Sequence, residues 1–249
     1  MSANAPLGAK RKRSERSKKF LNASKKLLKL VENKWAGQLS HEEYKKKVHD
    51  VYSGPQGALL STSSKLSLHT QMGERLFRSR QFDMTGLRRA LDVGSGAGQL
   101  ALHLLKYGDP ELEVTCTDLS TNMLRRARQR IHDPRPRWAT ADITHLPFAD
   151  ESFDCITCGY VIEHLPDVRV GLREFARVLV PGGRALLLVT EDSFSGAWTS
   201  RLWRCRTCNR DEFRRDCEES GFIWHRELWF TKMHKMLKAG GICVDIRKA

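Results

Sequence analysis

Residues 89–101 of this 249-residue chain read RALDVGSGAGQLA, and this stretch decides the fold. Its first five residues predict a short apolar strand, and the apolar spacing from Leu100 onward predicts a helix. Between them stand Gly94, Gly96 and Gly98, which let the chain turn sharply and let a ligand lie against the main chain. A helix that begins at such a turn directs free N–H groups at the ligand. The stretch therefore predicts a loop that binds a nucleotide-type cofactor.

The spacing of the glycines distinguishes a dinucleotide site from a site for another nucleotide-type cofactor. The dinucleotide fingerprint is G-x-G-x-x-G, with an acidic residue about 20 positions further on. Here the third glycine comes one residue early, Gln99 follows it, and Asp92 precedes the loop. This pattern resembles motif I of the class I S-adenosylmethionine-dependent methyltransferases. An NAD-dependent oxidoreductase is the competing interpretation, and Gln99 disfavours it.

Strand and helix patterns alternate behind the glycine loop. Residues 113–118 predict a second strand that ends in Asp118, and residues 121–131 predict a helix. Residues 138–143 predict a third strand, which carries Asp142 near its end. Alternating strands and helices of this kind predict a parallel sheet covered by helices.

The remaining elements follow in the same order. Residues 148–158 predict a turn and a fourth strand, and residues 184–190 predict a fifth. Residues 211–220 read as a helix, and residues 224–231 and 242–247 read as two final strands.

The succession from Ala90 to Val189 resembles the "type 11" methyltransferase domain, the group that includes the ubiquinone/menaquinone C-methyltransferases. The resemblance implies an α/β, Rossmann-like fold with a mostly parallel seven-stranded sheet, helices on both faces and a C-terminal antiparallel hairpin. It implies S-adenosyl-L-methionine as cofactor, and we expect the chain to be complete at its C-terminus.

The resemblance also assigns roles to the acids at the strand ends. Asp118 is expected to accept hydrogen bonds from the ribose hydroxyls, since a carboxylate has several acceptor sites. Asp142 is expected to receive the adenine amino group, and Asp92 to orient the loop or receive the ammonium group. The alternative for a lone acid is a helix cap or a solvated strand end. The predicted cofactor-binding residues are Asp92, Gly94, Ser95, Gly96, Gly98, Asp118, Leu119, Met123, Asp142, Ile143 and Gly159.

Three other residues are candidates for the methionine end of the cofactor. By the resemblance, Arg75 or Arg80 pairs with the cofactor carboxylate, and Tyr52 lies close by.

The loop after the fourth strand faces the methyl group in this fold and contains the catalytic candidates Tyr160, Glu163 and His164. A general base is needed only if the acceptor loses a proton. We interpret His164 as shaping the pocket rather than as the base. Neither an Asn/Asp-Pro-Pro-Tyr/Phe motif nor a Pro-Cys pair follows this strand, which argues against methylation of a nucleobase amine or of cytosine C5.

The acceptor is predicted to be a small molecule, apolar or aromatic in view of Trp198 and Trp203. An RNA or protein acceptor recruited by the basic N-terminus is the alternative enzyme. A module that binds the cofactor without turnover is a third hypothesis, because the loop and the acids argue only for binding.

Charge divides the chain into segments. The formal net charge is +14, of which the first 50 residues carry +9. We predict a disordered basic tail over residues 1–13, a helical extension or lid over 14–85, and the methyltransferase domain over 86–249. Residues 10–47 either cover the cofactor pocket with solvated lysines or contact RNA, an anionic surface or a membrane surface.

Neither a membrane-spanning run nor a secretory signal is present in the sequence, which predicts a cytoplasmic protein. The Arg/Lys/Ser-rich N-terminus leaves organelle import open, and the oligomeric state is left open too. Seven cysteines, an odd number, are typical of reduced thiols. Cys205 and Cys208 suggest zinc by their spacing, but a matching second pair is missing, so no metal is predicted.

Overall fold

A computed structural model describes residues 40, 42–43, 45–46, 68–193, 196, 200, 205–237 and 241–249. The predicted tail over 1–13, Tyr52, and the aromatic pair Trp198 and Trp203 lie outside these residues. Within the described parts of the chain, no helix is both long and apolar enough to cross a membrane.

Seven strands form one sheet in the order β3-β2-β1-β4-β5-β7-β6. The first five are parallel, and β7 runs antiparallel to both β5 and β6. The predicted sheet and its closing hairpin are therefore confirmed. The strands are β1 (Arg89–Val93), β2 (Glu113–Asp118), β3 (Arg137–Thr140), β4 (Phe153–Gly159), β5 (Leu179–Val189), β6 (Phe222–Glu227) and β7 (Ile242–Lys248).

Helices connect these strands and cover both faces of the sheet. They are α1 (Leu68–Arg78), α2 (Gln99–Tyr107), α3 (Thr121–Arg130), α4 (Val168–Val178), α5 (Arg210–Glu219) and α6 (Lys232–Leu237), with a short 3-10 turn at Ile162–His164. Helix α6 was not predicted, and β6 spans Phe222–Glu227 rather than the predicted residues 224–231.

The central strands are buried on both sides, as parallel strands usually are. One apolar cluster joins Leu91 and Ile156 to Phe175 of α4, and a second joins Ala90 and Leu186 to α2. The second cluster also takes in Leu76, Phe77 and Phe82, so helix α1 and the segment after it are part of the domain core.

Two strands differ from their predicted limits. Strand β3 ends at Thr140 rather than at residue 143, because the Asp142 carboxylate accepts hydrogen bonds from N–H and Oγ1 of Thr144 and turns the chain. Strand β5 begins at Leu179 rather than at residue 184. Its pairing with β4 is interrupted between Phe153 and Cys155, so the Pro-Gly-Gly segment at 181–183 lies within the strand at this interruption.

Candidate cofactor site

The site lies at the carboxyl end of the parallel strands, where the loops after β1 to β5 meet at one edge of the sheet. The glycine loop is tied down by Ser95, whose N–H donates to the Thr117 carbonyl at 2.8 Å. The Ser95 hydroxyl donates to the Asp92 carbonyl at 2.9 Å, which closes the turn behind β1. A strand-to-helix turn of this kind presents main-chain N–H groups at the start of α2.

Gly94 and Gly96 of the loop lack a side chain for different reasons. Gly94 has φ +65°, and a Cβ there would stand 2.3 Å from Cγ2 of Val161. Gly96 has φ +52°, but an added Cβ would meet nothing closer than Cε of Met123 at 3.7 Å. Gly94 is therefore required for internal packing, whereas Gly96 faces open space in which a ligand fits against bare backbone.

Asp118 joins the end of β2 to the glycine loop. Its Oδ2 accepts the Gly96 N–H at 2.9 Å, and its Oδ1 accepts the Ser120 N–H at 2.8 Å. Burial raises the pKa of this carboxyl, while the two N–H donors oppose that shift. The side chain is part-buried, so Asp118 both fixes the loop and remains at the cleft.

Asp92 lies beneath the glycine loop and is 1% exposed. Its Oδ1 accepts a hydrogen bond from the Thr157 hydroxyl at 2.7 Å, and its Oδ2 is buried without a partner. Burial raises the pKa of the carboxyl to about 6. A buried carboxylate oxygen that lacks a donor is suited to accept one from a cationic ligand group. Thr157 was missed from the sequence, because a hydroxyl inside a strand carries no distinguishing pattern.

Asp142 stands just beyond the end of β3, next to the buried side chain of Ile143. Its Oδ1 is held by Thr144, and its Oδ2 lies 3.2 Å from Nζ of Lys45, a residue of the N-terminal extension. The sequence had not indicated that this particular lysine reaches the site. Of the other predicted cofactor residues, Met123 is buried on α3, Leu119 is half-buried after β2, and Gly159 ends β4.

The loop after β4 contains the three catalytic candidates. Tyr160 has φ +59°, an unfavourable backbone conformation for a bulky residue, of a kind found at functional sites. Burial raises the pKa of its phenol, which therefore keeps its proton at neutral pH. His164 closes the 3-10 turn and is half-buried.

Glu163 differs from its two neighbours because it is fully buried. Its Oε1 accepts hydrogen bonds from N–H and Oγ1 of Thr190, at 3.2 and 2.9 Å, and its Oε2 is buried without a partner. Burial raises its pKa to about 7. The Glu163 carbonyl also accepts the Arg206 N–H, so this turn is attached to the segment that follows β5.

Helix α1 packs against the C-terminal end of α2, where Glu74 contacts Lys106 and Tyr107 at 2.6 Å. Arg80 follows α1 on an exposed turn. The pairing of Arg75 or Arg80 with the cofactor carboxylate stays a prediction.

Cys205 and Cys208 are buried on the segment after β5. Among the described residues, no group of three or more His, Cys, Asp and Glu side chains is arranged to hold a metal ion. That the protein binds no metal stays a prediction.

Comparison with known proteins also indicates a methyltransferase domain. Residues 91–187 match the family model described as a methyltransferase domain. The chain is 38% identical over 105 residues to a ubiquinone/menaquinone biosynthesis C-methyltransferase of Desulfotalea psychrophila, covering 42% of each chain. It is 36% identical over 133 residues to a demethylmenaquinone methyltransferase of Deinococcus radiodurans, covering 53% of this chain and 55% of that one. The chain thus spans about half the length of the curated relatives that it matches.

A solved structure agrees in fold. It is a chain of the complex between the Haloferax volcanii Trm112 methyltransferase activator and a methyltransferase, with a TM-score of 0.65 and 19% identity, covering 81% of this chain and 97% of that one. The family match over residues 91–187, the sheet order and the glycine loop agree with those of the class I S-adenosylmethionine-dependent methyltransferases. The resemblance to that family is confirmed. Its cofactor is S-adenosylmethionine, and the open face of Gly96 and the unpartnered Oδ2 of Asp92 fit a cationic nucleoside of this kind.

Proposed function

We propose that this protein is a methyltransferase that transfers the methyl group of S-adenosylmethionine to a small apolar or aromatic acceptor. The observation that carries the proposal is the convergence of the Gly94–Gly98 loop, Asp118 and Asp142 at the carboxyl ends of three adjacent parallel strands. In this arrangement one bound nucleoside contacts all three.

Each of these elements has a separate role in holding the cofactor. The loop backbone around Gly96 supports the chain that links the ribose to the sulfur. Asp118 accepts hydrogen bonds from the ribose hydroxyls, as its part-buried carboxylate allows. Asp142 accepts the adenine amino group, with Ile143 and Met123 as the apolar surfaces on the ring. Asp92 fixes the loop from below and offers Oδ2 to the ammonium group.

The chemistry depends on position more than on acid–base catalysis. When bound, the cofactor supplies an electrophilic methyl group on a sulfonium, and S-adenosylhomocysteine is the leaving group. The protein has to align the acceptor in line with the S–CH3 bond and to exclude water. The loop after β4 serves this purpose, with the protonated phenol of Tyr160 as a hydrogen-bond donor. Glu163 is fully buried, so we assign it a positioning role through Thr190 rather than contact with the acceptor.

The relatives narrow the acceptor class. Those named above are a ubiquinone/menaquinone biosynthesis C-methyltransferase and a demethylmenaquinone methyltransferase. For a ring-carbon acceptor the new C–CH3 bond forms as the S–CH3 bond breaks, and the ring carbon then releases its proton to solvent. A quinol ring of this kind is the acceptor that we propose to test first.

We also propose a cytoplasmic location.

The proposal is tested with S-adenosylmethionine labelled at the methyl carbon, incubated with the full-length chain and a short-chain demethylmenaquinol. We expect label in the quinol product and an equal amount of S-adenosylhomocysteine, with the Gly96→Val variant as a negative control. Label recovered in another metabolite of a cell extract would correct the acceptor. Label in RNA or protein would favour the macromolecular alternative, and label that never leaves the cofactor would favour a binding module.

A further inference from the structure

The described part of the N-terminal extension contains a short helical turn with a defined start. Ser40 precedes it, and Glu42, Glu43, Lys45 and Lys46 are helical. The Glu43 N–H donates to the Ser40 hydroxyl at 3.3 Å, while the Ser40 N–H donates to the Glu43 carboxylate at 2.8 Å. This reciprocal pair is a capping box, which fixes where the helix begins and therefore which way the following side chains point.

The turn directs one lysine at the cofactor site. Nζ of Lys45 lies 3.2 Å from Oδ2 of Asp142 and 3.5 Å from Oε1 of Glu42. The Asp142 side chain is only 15% exposed, which distinguishes this pair from the ion pairs between two exposed side chains elsewhere on the surface. The hydrogen bond to Asp142 raises the pKa of the Lys45 ammonium, so the lysine stays charged. Lys46, the next residue, is exposed.

We propose that Lys45 is a positioning residue of the cofactor site. It holds the Asp142 carboxylate in the orientation in which it accepts the adenine amino group, and it attaches the turn at residues 40–46 to that end of the site. The inference rests on the proposed function, because it takes Asp142 as the acceptor for adenine. Its physical basis is that a charge-assisted contact of 3.2 Å fixes Oδ2 and with it the plane of the carboxylate, while Thr144 holds Oδ1.

The two neighbouring lysines of this turn therefore have different roles. Lys46 is exposed, whereas Lys45 contributes to cofactor affinity through one carboxylate. The contact between Lys45 and Asp142 therefore links the affinity for the cofactor to the position of the turn at residues 40–46, which precedes the domain core in sequence.

The test measures binding of S-adenosylhomocysteine and of adenosine by isothermal titration calorimetry, with the full-length protein. We expect Lys45→Met to weaken both ligands about three- to fivefold, as for the loss of one favourable ion pair. The matched variant Lys46→Met removes the same charge from the same turn and should bind like the wild type. In an Asp142→Asn background, Lys45→Met should cause no further loss. That result separates action through Asp142 from a general effect on folding.

Equal affinities for Lys45→Met and Lys46→Met would overturn the inference, and so would an undiminished effect of Lys45→Met in the Asp142→Asn background. A wild-type protein that binds neither ligand would overturn the proposed function itself, and this inference with it.

Discussion

At the scale of single residues, several side chains of the site have two roles that the sequence alone does not separate. Asp118 was expected to hold the ribose, and in the structure it also accepts the N–H groups of Gly96 and Ser120. Its loss would therefore affect the shape of the loop as well as the contact with the cofactor. Asp92 is similar, since its carbonyl and carboxylate hold Ser95 and Thr157 while Oδ2 has no donor.

Replacing Asp118 by alanine should weaken binding of S-adenosylhomocysteine by about 2–3 kcal/mol, because two charge-assisted hydrogen bonds are lost. Calorimetric titration measures this directly. Glu111→Ala is the matched control, since Glu111 is an exposed acid whose partner is Arg88. Affinity equal to that of the control variant would remove Asp118 from the site.

A glycine of the loop can be compared with a glycine outside it. Gly96 and Gly182 both have positive φ, at +52° and +72°, and neither has a packed atom within 3.5 Å of an added Cβ. Valine at either position should cost backbone strain on the order of 1 kcal/mol. Only Gly96→Val should also abolish cofactor binding, because its side chain enters the cleft. Equal binding by the two variants would mean that the open space at Gly96 is not the cofactor site.

At the scale of elements, the order of strands and helices was predictable because hydrophobic periodicity and glycine turns carry it. Strand β2 has the predicted limits, and helix α5 is shifted by one residue. The errors lie where side chains override local pattern. Thr144 ends β3 early through its bonds to Asp142, and pairing with Phe153 draws Leu179 into β5.

The candidate site was predictable only as far as the family pattern reaches. The acids at the ends of β2 and β3 follow from spacing. The residues that contact Asp92, Glu163 and Asp142, which are Thr157, Thr190 and Lys45, come from distant parts of the chain. A buried pair shows the same limit, since Asp245 of β7 is fully buried and pairs with Arg184 of β5 at 2.7 Å. Contacts between residues far apart in sequence depend on the packed fold and leave no periodic signal.

Glu163 joins two of these elements, the turn after β4 and the end of β5, through Thr190. Because burial raises its pKa from 4.5 to about 7, the folded state binds a proton more tightly than the unfolded state. The stabilisation that Glu163 contributes is therefore fully present below about pH 4.5 and is lost as the pH rises through about 7. Glu163→Gln imitates the protonated form and should remove this loss.

The measurement is the free energy of unfolding by urea from pH 5 to pH 9. Relative to Glu163→Gln, the wild type should lose up to about 3 kcal/mol across that range. A readout specific to the site is the KM for the methyl acceptor, which should change more than the affinity for S-adenosylhomocysteine, because Glu163 holds the acceptor side. Parallel pH profiles for the two proteins would show that Glu163 does not titrate in this range.

At the scale of the whole molecule, the basic character is concentrated outside the folded core. The first 50 residues account for +9 of the net charge of +14, so the methyltransferase domain itself is close to ordinary in charge. The edge of the sheet that carries the glycine loop also carries Asp92, Asp118 and Asp142, which suits a ligand with a positive sulfonium and an ammonium group.

Thermal unfolding of the whole chain distinguishes these ligands without any knowledge of the acceptor. S-adenosylhomocysteine at about 100 times its Kd should stabilise the folded protein by roughly 2.7 kcal/mol. For a chain of this size that corresponds to a rise in Tm of about 5–10 °C. NAD at the same concentration should leave Tm unchanged, because the glycine spacing and Gln99 depart from the dinucleotide fingerprint. A rise in Tm with NAD and none with S-adenosylhomocysteine would instead support the oxidoreductase interpretation of the glycine loop.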